Sequence, residues 1–255
     1  MLLSRRRRDG LPARWREILT ARSAVWALLD DDERTRLGEL ADALLVTKRW
    51  EAARGFTITD EVRTLIAAHA ALLVLALDGE PYDGVGTIVV RFGSMRRRPP
   101  QPHWGRVGGV VDGSPAPVDG EAHHSDGPVM INWSAARREA SNPRLGRDVV
   151  LHEFAHKLDM LDGTIDGTPP IGDPDARQHW IDVCTAEYDA VRRGEPGGLL
   201  RAYAGTNPGE FFAVATEAFF TRPLPMEAEK PELYGVLAAY YRQHPAERVR
   251  RATVM

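Results

Sequence analysis

The stretch Val149-Val150-Leu151-His152-Glu153-Phe154-Ala155-His156-Lys157-Leu158-Asp159 sets two histidines four residues apart inside an apolar helical pattern. On a helix that spacing stacks both imidazoles on one face, where they can point at one cation. Glu153 is offset by about 100°, so its carboxylate can reach a water on that cation. Chance seldom makes this arrangement: with 8 His and 36 Asp plus Glu in 255 residues, shuffling gives at most about 0.03 such strings per chain. The helix is expected to open at Asn142-Pro143, with Leu145, Val149, His152 and His156 on one face. Val150, Phe154, Leu158 and Leu161 form a second apolar stripe, so the helix should be buried on a wide front. Buried imidazoles need polar partners, and this HExxH spacing is the one zinc-dependent hydrolases use.

A catalytic zinc takes three protein ligands and leaves one position for water. Three carboxylates compete for the third place. Asp162 lies six residues after His156 and would need a glycine turn between them, but Asp159 stands there and Gly163 comes only afterwards. Glu210 and Glu217 lie seven residues apart on one face of a later helix, expected over Pro208 to Phe220. Asn207 suits the cap of that helix and Pro208 its first position. Glu210 then falls at the third position, where a capping-box glutamate reaches back to the cap amide. Periodicity leaves cap and ligand equally open.

The remainder of the chain predicts an α+β fold, mainly helical with a small β-sheet. From Pro12 to Leu77 apolar residues recur at helical spacing, with Thr59 and Asp60 as caps for a third helix and Asp78-Gly79 as its stop. His69 lies in that apolar stretch and reads as a hydrogen-bonded core histidine. Thr87 to Phe92 and Val129 to Trp133 read as strands, with a short strand possible at Arg106 to Val111. The patch Arg96-Arg97-Arg98 reads as a solvated hairpin tip, and His123 and His124 as surface residues. Cys184 sits on a helical pattern and reads as packing, while His103, His179 and His244 have no neighbouring ligand set.

Composition narrows the setting. A formal charge of −3, 43% hydrophobic and 27% charged residues describe a globular protein, and the even balance speaks against direct nucleic-acid binding. The lone Cys184 excludes an intramolecular disulfide and fits a reducing compartment. Arg5 to Arg8 are not followed by the apolar stretch of an export signal. The longest apolar run, Ala70 to Leu77, falls far short of the ~20 residues of a membrane helix. A cytoplasmic protein is expected, with a flexible Arg-rich start over residues 1–10 and a single domain over residues 11–255.

The segments His152 to Asp159 and Tyr203 to Phe220 resemble the Mlc titration factor A (MtfA) family of bacterial zinc peptidases. The likeness runs from about Trp15 to the Tyr240 region and takes in Ile58-Thr59-Asp60. In motif the chain is also similar to the catalytic domain of anthrax lethal factor, in which a Tyr-Gly-x-Thr-Asn-x-x-Glu-Phe-Phe-Ala run supplies the third ligand. The resemblance implies a zincin-like fold and one zinc per chain held by His152, His156 and Glu210. It also implies Glu153 as general base and Tyr203 as electrophilic helper. The lethal-factor pattern has a further glutamate where this chain has Val214, so the groups behind the ligands must differ, with Glu217 or Asp159 as substitutes. The family implies aminopeptidase-like action on small peptides, for which Asp159, Asp162 and Glu217 are the possible anchors of a free amine. It also permits a second role, contact with a transcriptional-repressor protein. In zincin folds an extended peptide pairs with an edge strand, and Val129 to Trp133 is the candidate here.

Overall fold

The computed structural model describes residues 12–53, 55–93, 127–194 and 198–254. The Arg-rich start, the Arg96 patch, the strand expected at Arg106 to Val111, and His103, His123 and His124 lie outside those residues. The described chain runs α1 (Ala13–Arg22), α2 (Asp31–Thr47), β1 (Arg49–Ala52), α3 (Asp60–Leu73), β2 (Thr87–Arg91), β3 (Val129–Asn132) and α4 (Trp133–Ala140). It continues through α5 (Val149–Asp159), α6 (Pro174–Arg192), α7 (Pro208–Thr221), α8 (Pro223–Glu229), α9 (Pro231–Tyr241) and α10 (Pro245–Val254). The expected α+β, mainly helical architecture is the one observed. None of the helices among the described residues is long and apolar enough to cross a membrane.

The sheet is parallel throughout, in the order β1-β2-β3, with Trp50 opposite Ile88 and Val90 opposite Ile131. Strand β1 is short and polar, Arg-Trp-Glu-Ala, and periodicity did not reveal it; it forms because α3 returns the chain to lay β2 beside it. Ile88, Val90, Val129 and Ile131 are fully buried, so the sheet contributes apolar surface to the core. Helix α3 begins where expected, with the Thr59 hydroxyl accepting the Val62 amide. It ends at Leu73, before Asp78-Gly79, and the chain continues in turns.

Helix α5 differs from its expected bounds. Pro143–Leu145 form a single 3₁₀ turn, closed by Gly146 in the left-handed region at φ 62°. A side chain at Gly146 would be strained there and would also meet Arg222 Cδ at 2.9 Å. The helix proper starts at Val149 under an Asp148 cap, and Leu145 is 44% exposed, off the histidine face. From Val149 to Asp159 every residue is buried, because α5 packs against α3, α7 and β3. Helix α7 is similarly enclosed: Phe211, Phe212, Phe219 and Phe220 interlock with Trp180, Tyr188, Tyr234 and Tyr241 through edge and stacked contacts. The two helices that carry the candidate ligands are thus the two most completely enclosed by the core.

Candidate metal centre

Carboxylates gather at the start of α5. Asp148 Oδ1 accepts the amides of Val150 and Leu151 at 3.0 and 3.1 Å, and Glu139 Oε2 accepts that of Val149 at 3.0 Å. Orphan amides are thereby satisfied by anions at the positive end of the helix dipole. One turn on, the His152 and His156 rings stand edge to face at 4.8 Å, with their Nε2 atoms 3.3 Å apart.

Helix α7 delivers the third group. Asn207 Oδ1 accepts the Glu210 amide at 2.9 Å, so the cap is in place. The Glu210 side chain does not return to the cap; it turns inward, with Oε2 3.1 Å from His152 Nε2 and 3.5 Å from His156 Nε2. Of the two roles the sequence leaves open for the Glu210 side chain, the structure shows the one that faces the imidazoles; its amide is served by the Asn207 cap, but its carboxylate does not complete a capping box. Asp162 is exposed and holds the Thr164 amide and hydroxyl, and Asp159 holds the Gly167 amide. Neither joins the cluster. Among the described residues His152, His156 and Glu210 are the group whose ligand atoms converge as a metal ion requires.

The convergence fits a cation. A tetrahedral site with bonds of ~2.0–2.1 Å spaces its ligand atoms about 3.3–3.4 Å apart, and the three separations here are 3.1, 3.3 and 3.5 Å. Glu210 Oε2 is buried with both Nε2 atoms near it but neither aligned to donate a hydrogen bond, an arrangement suited to a cation shared by the carboxylate and the two imidazoles.

Glu217 stands behind the candidate ligands. Its Oε1 accepts from His152 Nδ1 at 2.6 Å, its Oε2 accepts the Asp148 amide at 2.8 Å, and Arg201 donates to both oxygens at 2.6 and 3.1 Å. The bond to Nδ1 presents Nε2 of His152 to the cluster as an acceptor. Val214 meanwhile is buried in the apolar core, so the polar task falls one turn further along α7. Arg201 was not singled out by its sequence context. Its only signal is its place two residues before Tyr203, over whose ring its guanidinium sits at 5.7 Å.

Electrostatics follow from burial and these partners. Burial alone would depress the His152 pKa, but the Glu217 and Glu210 carboxylates outweigh it and raise it to about 10 in the absence of a cation. His156 is pushed down by burial. Burial works to raise Glu210 and Glu217, yet both are held below the usual carboxylate range, Glu210 by the two histidines and Glu217 by His152 and Arg201. Glu153 is buried beside the cluster, and loss of water together with nearby Glu210 and Glu217 lifts it to about 7 against the pull of His152. Tyr203, in the 3₁₀ turn Ala202–Gly205, is 41% exposed with its ring 6.1 Å from that of His152. Its phenol is raised by partial burial and by the nearby Glu210 carboxylate.

Other groups lie outside the cluster. His69 is a hydrogen-bonded core histidine, as expected. Cys184 is half-buried on α6, and burial pushes its thiol up to about 12, far from a reactive thiolate.

Asp159 yields a pH prediction. It is fully buried, accepts from the Gly167 amide at 3.0 Å, and is raised to about 7 chiefly by burial. Unfolded, it would titrate near ~3.9. Because the folded value is the higher, the neutral acid is favoured by folding, and stability is lost as pH rises from about 4 through about 7. Replacing Asp159 with Asn keeps an acceptor for Gly167 and removes the titration. Urea unfolding is expected to show the Asn variant gaining about 1–3 kcal/mol on the wild type between pH 5 and pH 8. Equal pH slopes for the two proteins would contradict this.

The chain's sequence matches the family described as glucose-regulated metallo-peptidase M90 over residues 2–242. The chain belongs to that family. A relative from Yersinia pestis, strain Pestoides F, named Mlc titration factor A, is 32% identical over 94% of this chain and 87% of its own length. An uncharacterized protein from Synechocystis is 33% identical over 92% of this chain and 86% of its own. Membership in M90 shows a metallopeptidase-type chain, which implies a metal ion and peptide substrates, and the resemblance to the MtfA family stands.

Proposed function

We propose that this M90 chain is a zinc-dependent, aminopeptidase-like enzyme of the cytoplasm, with residues 11–255 forming one peptidase domain. The observation that carries the reading is the triangle of His152, His156 and Glu210 with tetrahedral spacing, backed by a carboxylate on the far nitrogen of His152. Zinc, one per chain, supplies Lewis acidity that lowers the pKa of a water and polarises a peptide carbonyl. Glu153, buried and lifted toward neutrality, accepts the proton of the attacking water and passes it to the departing amine. Tyr203 keeps its proton at neutral pH and donates it as a hydrogen bond to the oxyanion formed at the scissile carbonyl. Glu217 and Arg201 hold the His152 ring so that Nε2 keeps its lone pair directed inward.

The substrate is proposed to lie along β3, one of the two edge strands of the described sheet and the one that neighbours α5. Met130, half-buried on that strand, gives the test: Met130→Asp is expected to raise the KM for a peptide several-fold with kcat kept, and an unchanged KM removes β3 from the binding site.

The experiment for the whole reading is metal removal. EDTA should abolish peptide hydrolysis, and about one equivalent of zinc should restore it. Hydrolysis that survives complete chelation contradicts the assignment. The name of the Yersinia relative favours a second reading, in which the chain binds a transcriptional repressor and peptidase action is secondary. Partner binding that persists in the chelated, inactive protein would support that reading, and both roles can belong to one chain.

A further inference from the structure

A second polar cluster lies behind the first. Ser23, at the end of α1, places Oγ 2.9 Å from His69 Nε2, and His69 Nδ1 lies 2.5 Å from Asp148 Oδ2. All three residues are buried, at 7%, 3% and 2% exposure. The atoms resemble a nucleophile relay, but Ser23 Oγ accepts the Trp26 amide at 3.3 Å and the group is closed to substrate. One arrangement of protons satisfies every member: the Ser23 hydroxyl donates to Nε2, Nδ1–H donates to Asp148, and Asp148 keeps its other oxygen for the Val150 and Leu151 amides.

Asp148 is the joint between the two clusters. While its side chain is held by His69 and caps α5, its own amide donates to Glu217 Oε2, and Glu217 Oε1 receives His152 Nδ1. Four hydrogen bonds therefore connect α1 to His152 through residues far apart in the chain. A buried chain of this kind has few alternative arrangements, because a displaced member leaves a neighbour without a partner in low dielectric.

We propose that His69 and Asp148 are positioning residues of the metal centre: they fix Glu217, and through it the orientation of His152, so that removing His69 weakens zinc binding from three hydrogen bonds away. This rests on the zinc reading above. Capping of α5 alone would require only Asp148, and core packing alone would be served as well by an apolar residue at position 69. His69 adds a donor that fixes where the Asp148 carboxylate sits.

The test is zinc affinity of the full chain, measured by competition with a chromogenic chelator well below the melting temperature. His69→Leu keeps bulk and removes both nitrogens, and should lose about tenfold in affinity, at the low end of the range for groups behind metal ligands. His69→Asn, whose amide can occupy the place of Nδ1–H, should recover most of it. Asp148→Asn keeps an acceptor for the α5 amides, removes the charge facing His69, and should also weaken zinc; it decides the matter if His69→Leu does not fold. Asp173→Ala removes the comparable cap of α6 and is the control, expected to lower stability with zinc affinity intact. Wild-type affinity in both His69→Leu and Asp148→Asn overturns the inference, as does an equal loss in Asp173→Ala. Failure of the wild type itself to bind zinc sinks the metal centre and this inference with it.

Discussion

Glu153→Gln is expected to leave zinc content at one per chain while peptide turnover falls about 10²–10⁴-fold, the usual contribution of a positioned general base. The side chain is buried, and Oε2 has no hydrogen-bond donor, so the carboxylate is free to receive a proton and contributes little to holding the fold. Glutamine matches its volume, cannot accept the proton, and removes one of the negative charges around His152. Stability should therefore change little or rise slightly, since a buried acid without a strong partner is replaced by a neutral amide. Metal analysis, thermal unfolding and peptide hydrolysis on one preparation separate these effects. A variant that retains both zinc and full hydrolytic rate refutes the general-base role.

Two alanine substitutions on α7 should fail in different ways. Glu210→Ala removes a proposed ligand from a partly exposed position, so the fold should persist while zinc is lost from the purified protein. Glu217→Ala strikes the buried support: His152 Nδ1, the Arg201 guanidinium and the Asp148 amide all lose their acceptor at once. Breaking a buried charged pair from one side costs about 3–5 kcal/mol, and loss of the group orienting a ligand costs roughly 10–100-fold in metal affinity. The expected pattern is a stable, zinc-free Glu210→Ala protein beside an unstable Glu217→Ala protein that still takes up zinc when it is supplied in excess. The reverse pattern, with Glu217→Ala devoid of zinc and Glu210→Ala loaded, would make Glu217 the ligand. Metal content and denaturant midpoints decide between them.

Much of the candidate site was legible along the chain because its determinants are local. The interval between His152 and His156 is one helical turn, and the apolar stripes around them announce a buried helix. The Asn207-Pro208 start of α7 is likewise a contact between near neighbours, and the helix begins where those residues place it. Where the structure departs from the local signal, that signal is outweighed by something distant or by a backbone choice. Asn142-Pro143 has the form of a helix start, but Gly146 takes a left-handed conformation and the true cap, Asp148, is fixed by His69 from 79 residues away. Strand β1 lacks alternation and exists because β2 hydrogen-bonds to it.

The choice among Asp162, Glu210 and Glu217 shows where sequence ends. All three are acidic and sit at plausible offsets, and helical phase puts Glu210 and Glu217 on one face of α7. Only the packing of α7 against α5 sets Glu210 level with the Nε2 atoms and Glu217 level with Nδ1, so that one carboxylate faces the cluster and the other supports it. By itself the chain determined a buried helix with two imidazoles on one face and a carboxylate beside them, since side-chain direction along a helix is a property of residue interval. The tertiary structure decided which distant acid completes the triangle, and joined Ser23, His69 and Asp148 behind it. Those contacts depend on the relative placement of helices, which no interval along one helix encodes.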